Sequence, residues 1–203
     1  MKTDSPSATF KKMNTIFSSP PFYTMHVHLL TADSVLPPHI HNNAKYWPFF
    51  KDCLGAIDGS HIHSAVPAFE WALHRNRKGF ISQSCLFICD FPLQFLYAVT
   101  GWEGSATDAC IYGDACAHDL NIPAERYYLA DAGFPHCPEL FVPYQDVQYH
   151  LAEWGHANVR CVSSYNIPVC YWSYPRPWDK EELFNLCHAW MQNVIERIFG
   201  VLK

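Results

Sequence analysis

A mixed β-sheet flanked by helices, hence an α/β fold, is what this sequence predicts, on three observations. Three β-like runs come first, a helix and a fourth β-like run follow, and the longest helical stretch of the chain comes last. Of the 203 residues 49% are hydrophobic and 16% aromatic, enough for a packed core and unlike a disordered chain. The length suits one domain with a sizeable core.

Residues 1–44 scatter prolines, serines and histidines with no periodic stretch, a poorly defined segment, so the domain is expected over 45–203. Leu54-Gly-Ala-Ile-Asp58 is an apolar run ending in a carboxylate before Gly59, which predicts a buried strand and its exit turn. Phe80 to Cys89 is rich in β-formers and predicts a second strand. Leu93 to Thr100 predicts a third, with Asp90-Phe-Pro92 as the turn between them. Ser105-Ala-Thr-Asp108 has a short hydroxyl residue three positions before a carboxylate, a capping box opening a helix to about His118. Tyr127-Tyr-Leu-Ala130 is again β-like and again ends in a carboxylate, Asp131, before Gly133 and Pro135. Glu181 to Leu202 is the final helix. This order is the one expected of an RNase H-like sheet, whose first strand is central and pairs in parallel with the fourth.

The carboxylates sharpen that expectation. Parallel neighbours would bring Asp58 and Asp131 out side by side at one sheet edge. On the last helix, Asn185, His188, Gln192, Glu196 and Gly200 follow steps of three and four as a polar stripe. Leu183, Leu186, Trp190, Val194, Ile198 and Val201 occupy the apolar remainder, so the helix can pack on the sheet with Glu196 facing the aspartates. Three carboxylates in one cleft repel each other unless cations lie between them. Oxygen-only sites suit Mg²⁺ or Mn²⁺, and two such ions roughly 3.5–4 Å apart support in-line phosphodiester chemistry. Taken singly, Asp58 and Asp131 read better as turn residues and Glu196 as a solvated partner of Arg197; only their joint order favours a shared site.

The formal charge is −5, from 14 Lys and Arg against 19 Asp and Glu, the wrong sign for a chain that grips a polyanion by itself. Weak, sequence-independent DNA binding with a shallow salt dependence is therefore expected. Met1 to Lys11 carries no secretory signal, and Asp90 and Pro92 break the most apolar region, so no membrane is expected. The nine cysteines lack CxxC spacing; Cys85 with Cys89, or Cys110 with Cys116, could ligate zinc, but reduced thiols in an intracellular protein fit better.

Several blocks carry a resemblance. Asp52-Cys-Leu-Gly-Ala-Ile-Asp-Gly-Ser-His-Ile62, Arg75-Asn-Arg-Lys-Gly-Phe80, Gly101-Trp-Glu-Gly-Ser-Ala-Thr-Asp108 and Tyr127-Tyr-Leu-Ala-Asp-Ala-Gly-Phe134 stand in sequence order. Glu182-Leu-Phe-Asn185 and Asn193-Val-Ile-Glu-Arg-Ile-Phe-Gly-Val-Leu-Lys203 follow. Together they resemble PIF/Harbinger transposases of the DDE endonuclease superfamily, over about Ile40–Trp154 and Trp178–Lys203. The resemblance implies that residues 45–203 are a catalytic domain in which Asp58, Asp131 and Glu196 form a triad holding two divalent ions. It implies DNA as substrate, a separate Myb-like DNA-binding partner and a nuclear location. It also exposes departures. Gln148 stands where relatives carry arginine before Tyr-His-Leu, and Cys187 and Gln192 stand where they tend to be basic. Residues 161–175 look like an insertion, the family's N-terminal helical DNA-binding region is missing, and the chain stops at Lys203 where relatives continue the helix, a truncation at the C-terminal end.

Three further groups are candidates. Arg75, Arg77 and Lys78 form the densest basic cluster and could hold DNA phosphates, with a solvated hairpin end as the equal alternative. His61 and His63 alternate beside the first aspartate as accessory groups, although polar packing is the commoner fate. Asp108 is either a fourth carboxylate of the site or the third residue of the capping box. The competing function is a catalytically degenerate, domesticated transposase fold acting as a protein- or DNA-binding module; the intact triad favours the enzyme, the acidic charge the module.

Overall fold

Strand β1 (Cys53–His63) supplies the centre of the molecule because its first half is apolar on both faces. Cys53, Leu54, Ala56 and Ile57 are all buried, the pattern of a strand covered on two sides. The computed structural model describes residues 28–147 and 179–202. Among them β2 (Ser82–Cys89), β3 (Phe95–Glu103), β4 (Tyr127–Leu129) and β5 (Leu140–Phe141) complete one sheet in the order β3-β2-β1-β4-β5. β1 pairs antiparallel with β2, and β2 with β3. β1 pairs parallel with β4, Gly55 opposite Tyr128 and Ala56 opposite Leu129, and β4 pairs parallel with β5. The predicted central first strand and its parallel fourth partner are both present, in a mixed α/β sheet of the RNase H-like kind.

The α-helices among the described residues are α1 (Pro38–His41), α2 (Trp71–His74), α3 (Asp108–His118) and α4 (Lys180–Leu202). Strand side chains alternate between faces, and the core divides accordingly. Leu86, Ile88, Tyr128 and Ala130 join Ile111, Tyr112 and Ala115 of α3 on one face. Cys89, Ala56 and Leu129 join Cys187, Met191, Val194, Ile195, Ile198 and Phe199 of α4 on the other. The segment before β1 packs on the α4 side through Ile40 and Phe50, and Arg126 donates a hydrogen bond to the Ser34 carbonyl. No helix among the described residues is long and apolar enough to cross a membrane.

Three local expectations change. β1 does not leave the sheet at Gly59; it runs on to His63, with Gly59 opposite Leu86 and His63 opposite Ser82. A glycine after a carboxylate looks like a turn, but here its missing Cβ leaves room for another side chain. The helix start moves from Ser105 to Thr107, whose side chain accepts the Cys110 N–H at 3.3 Å. Both hydroxyls precede Asp108, and the three-residue spacing to a carboxylate that favours Ser105 does not decide the start. On α4, Leu183 is half exposed, while Phe184 stacks on Phe50 at 6.0 Å and packs edge-on to Phe141 at 5.0 Å. Two adjacent apolar residues on a helix cannot face the same way, and the larger ring takes the interior. The Gln148 block and the expected insertion at residues 161–175 lie outside the described residues.

Candidate active site

Asp58 and Asp131 owe their placement to strand pairing. Continuing the Ala56–Leu129 register by two residues sets Asp131, just past β4, beside Asp58. Each carboxylate is tied to its own backbone. Asp58 Oδ1 accepts the Gly59 N–H at 2.8 Å, and Asp131 Oδ1 accepts the Gly133 N–H. Each therefore keeps one oxygen without a backbone donor among these bonds.

Burial is the main reason that the Asp58 carboxyl is pushed up from 3.8 to about 7. The Gly59 N–H opposes the shift, while the charges of Asp131, Asp108 and Glu196 add to it. All four carboxylates thus lie within electrostatic reach of one point. Asp108, the first residue of α3, comes closest to the strand: a Cβ on Gly59 would lie 1.8 Å from its Oδ1. Its carboxyl is also raised, by burial first and then by Asp131, with His61 and Arg77 pulling the other way.

Glu196 has a different setting. Its side chain is exposed, although Ile195 beside it is fully buried against the sheet. Its charge nonetheless acts on Asp58. The rest of the predicted stripe diverges. Asn185, His188 and Gln192 are buried and Gly200 is exposed. Asn185 grips backbone instead of facing aspartates, accepting the Tyr144 N–H at 2.9 Å and donating to the Tyr144 and Val147 carbonyls at 3.1 and 3.2 Å. His188 Nε2 lies 2.8 Å from the Phe141 carbonyl oxygen. Asn185 and His188 therefore clasp the segment that follows β4, and Glu196 is linked to the carboxylates only through its charge. Sequence periodicity marks a polar face without naming its partner, which is why His188 was not singled out.

The remaining candidates separate. His61 is exposed, meets Ser82 Oγ at 3.3 Å through Nδ1, and lies within reach of Asp108. His63 packs on the Phe80 ring, centroids 4.4 Å apart, and is not brought to the carboxylates by any described contact. Arg75, Arg77 and Lys78 are exposed on the loop before β2. Asn76 shapes that loop: its Oδ1 accepts the Lys78 and Phe80 N–H groups at 3.0 and 3.3 Å. Arg75 reaches back to the Gly79 carbonyl at 3.4 Å, whereas Arg77 acts on Asp108. The cysteines among the described residues are free; Cys53, Cys85, Cys89 and Cys187 are buried, Cys137 half-buried, and Cys110 and Cys116 exposed.

The chemistry of this donor set, hard carboxylate oxygens that disfavour one another's ionisation, suits Mg²⁺ or Mn²⁺. Among the described residues, no three His, Cys, Asp or Glu side chains are gathered closely enough to hold a metal ion. The carboxylates act on one another electrostatically without closing around a point.

Comparison with known proteins places the domain. The chain is 29% identical over 84 residues to "Putative nuclease HARBI1" of Rattus norvegicus, a match covering 40% of this chain and 24% of that protein. It is 30% identical over 115 residues to "Protein ALP1-like" of Arabidopsis thaliana, covering 46% and 28%. The Homo sapiens "Putative nuclease HARBI1" is 26% identical over 84 residues, covering 40% and 24%. These matches span about a quarter of the length of the relatives. No solved structure matches. The profile described as DDE superfamily endonuclease matches residues 57–203, from the residue before Asp58 through α4. With most of its length matched in this way, the chain belongs to the DDE superfamily endonuclease family.

Proposed function

We propose that this domain cuts or transfers DNA phosphodiesters in a reaction dependent on divalent metal, with Asp58, Asp131 and Glu196 holding two Mg²⁺ or Mn²⁺ ions. The single observation that carries this is the parallel pairing of β1 and β4, whose register brings Asp131, just past β4, level with Asp58. Such ions, when bound, supply charge stabilisation at the phosphate and activate a water or a DNA 3′-hydroxyl. The chain's own residues do the rest. The Gly59 and Gly133 N–H groups orient one oxygen of each aspartate and leave the other for the ion. Asp108, resting on Gly59, is an accessory carboxylate, and His61 a polar neighbour on the same flank. Arg75, Arg77 and Lys78 hold DNA phosphates next to the carboxylates, Arg77 most directly. With a net charge of −5, affinity for DNA rests largely on a partner, by family resemblance a Myb-like DNA-binding protein in the nucleus.

A degenerate scaffold that keeps only binding is the second reading, favoured by the exposed Glu196 and the open arrangement of the carboxylates. Nicking of supercoiled plasmid by the purified chain, with Mg²⁺ or Mn²⁺ and with chelator, decides between the two. Cleavage that needs the metal and disappears in Asp58→Ala supports the enzyme. A folded chain that cleaves under neither condition, or cleaves equally with Asp58→Ala, leaves the scaffold.

A further inference from the structure

The buried His188 lies behind the carboxylates, and the proposed chemistry does not use it. The ring is fully buried on α4. Burial is the main reason its pKa falls from 6.5 to about 4, with the Phe141 carbonyl, the Asp131 charge and the Ala130 backbone opposing. The ring is therefore neutral and carries one proton. A carbonyl oxygen only accepts, so the 2.8 Å contact with Phe141 assigns that proton to Nε2. Nδ1 is left buried without a hydrogen bond of ordinary geometry among the described residues, although the Ala130 backbone also acts on the ring.

The Phe141 carbonyl has a second donor, the Ala130 N–H at 3.2 Å. Ala130 immediately precedes Asp131, and Leu129 opposite Phe141 is the last pair of the β4–β5 ladder. One carbonyl oxygen thus joins the final helix to the backbone that launches Asp131. The strand ends here, so beyond Leu129 no further ladder pair orients the chain.

We infer that His188 is a positioning residue for Asp131, fixing through the Phe141 carbonyl the direction in which the backbone leaves β4 and hence the aim of the carboxylate. The inference rests on the metal-dependent function proposed above. It assigns α4 two tasks eight residues apart, supplying Glu196 and holding the exit of the strand that supplies Asp131. Backbone groups that orient metal-binding side chains typically change metal affinity or activity by about 10–100-fold when disturbed.

Four variants and Mn²⁺ test this, with free Mn²⁺ followed by electron paramagnetic resonance and turnover by plasmid nicking. His188→Leu keeps the bulk and removes the donor. Mn²⁺ affinity is expected to fall about 10–100-fold, and kcat to fall while KM for plasmid holds. His188→Gln places an amide N–H where Nε2 was and is expected to restore most of both; His188→Asn, whose amide reaches only the Nδ1 position, is not. Asn185→Leu loosens the neighbouring clasp on Tyr144 and Val147 and is expected to lower the melting temperature with Mn²⁺ affinity unchanged. Equal behaviour of His188→Gln and His188→Asn overturns the inference even if His188→Leu does not fold. So does wild-type Mn²⁺ affinity in His188→Leu, or an equal loss in Asn185→Leu. A folded wild-type chain that binds no Mn²⁺ overturns the proposed function itself, and this inference with it.

Discussion

The strand-borne and helix-borne parts of the site are built on different principles. Asp58 and Asp131 are set by register between parallel neighbours and by N–H groups one and two residues away. Asp108 is set by a helix start capped at Thr107 and by the bare surface of Gly59. Glu196 has none of this. It is exposed, and its position depends on how Ile195, Val194, Ile198 and Phe199 dock α4 against Ala56, Cys89 and Leu129. Asp58, held within β1 by strand pairing and by the Gly59 N–H, should tolerate damage to the packing of α4. A glutamate placed by packing should not.

Loosening the helix is the most severe way to separate the two. Ile195 is fully buried under α4, so Ile195→Ala should cost about 2–5 kcal/mol of unfolding free energy. Chemical denaturation measures this, and near-ultraviolet circular dichroism should report loosened aromatic packing before the sheet itself melts. A loss confined to a few tenths of a kcal/mol would mean that α4 is held by something other than this contact.

The strand-borne part has its own signature in pH. The folded Asp58 carboxyl titrates near 7 against an ordinary 3.8. Between these values the folded state binds a proton that the unfolded state has released. The stabilising contribution is full below the ordinary value and is lost as pH rises through about 7. The displacement caps this at about 4 kcal/mol, and solvent at a half-buried carboxyl reduces it to roughly 2 kcal/mol. Thermal melts in chelator should therefore show a less stable chain at pH 8 than at pH 5, a difference that Asp58→Asn flattens and that Mg²⁺ at pH 8 offsets. A metal-free chain equally stable at both values would contradict the burial of Asp58.

Much of this division was legible in the sequence. Runs ending in carboxylates at Asp58 and Asp131 foretold adjacent parallel strands, because β-formers, turn residues and chain order are local signals. The extension of β1 to His63 was not legible, since Gly59 serves a close approach that only the folded arrangement of α3 reveals. The stripe of Asn185, His188 and Gln192 was visible as periodicity, yet the partners of Asn185 and His188 are backbone groups of Phe141, Tyr144 and Val147, more than three dozen residues away in the chain. Periodicity ranks the faces of a helix. It does not say what each face meets, and so Leu183 was expected inside and Ile195 and Phe199 were overlooked.

Gly59 offers a gentler probe. In Gly59→Ala the new Cβ meets the Asp108 carboxylate, a mobile side chain that can give way. Stability should fall by about 1 kcal/mol, the low end for overpacking, while cleavage drops about 10–100-fold as the carboxylate moves. Denaturant titration paired with the nicking rate checks both; a large stability loss with unchanged cleavage would make Asp108 purely structural.

The most direct test of the whole account is Glu196→Gln, which alters one charge on an exposed side chain. Unfolding free energy should stay within about 0.5 kcal/mol of wild type, and Mg²⁺-dependent nicking of supercoiled plasmid should disappear. Nicking that survives at the wild-type rate in an equally stable protein would remove Glu196 from the proposed site and contradict the proposed convergence of helix and strands on one metal-binding centre.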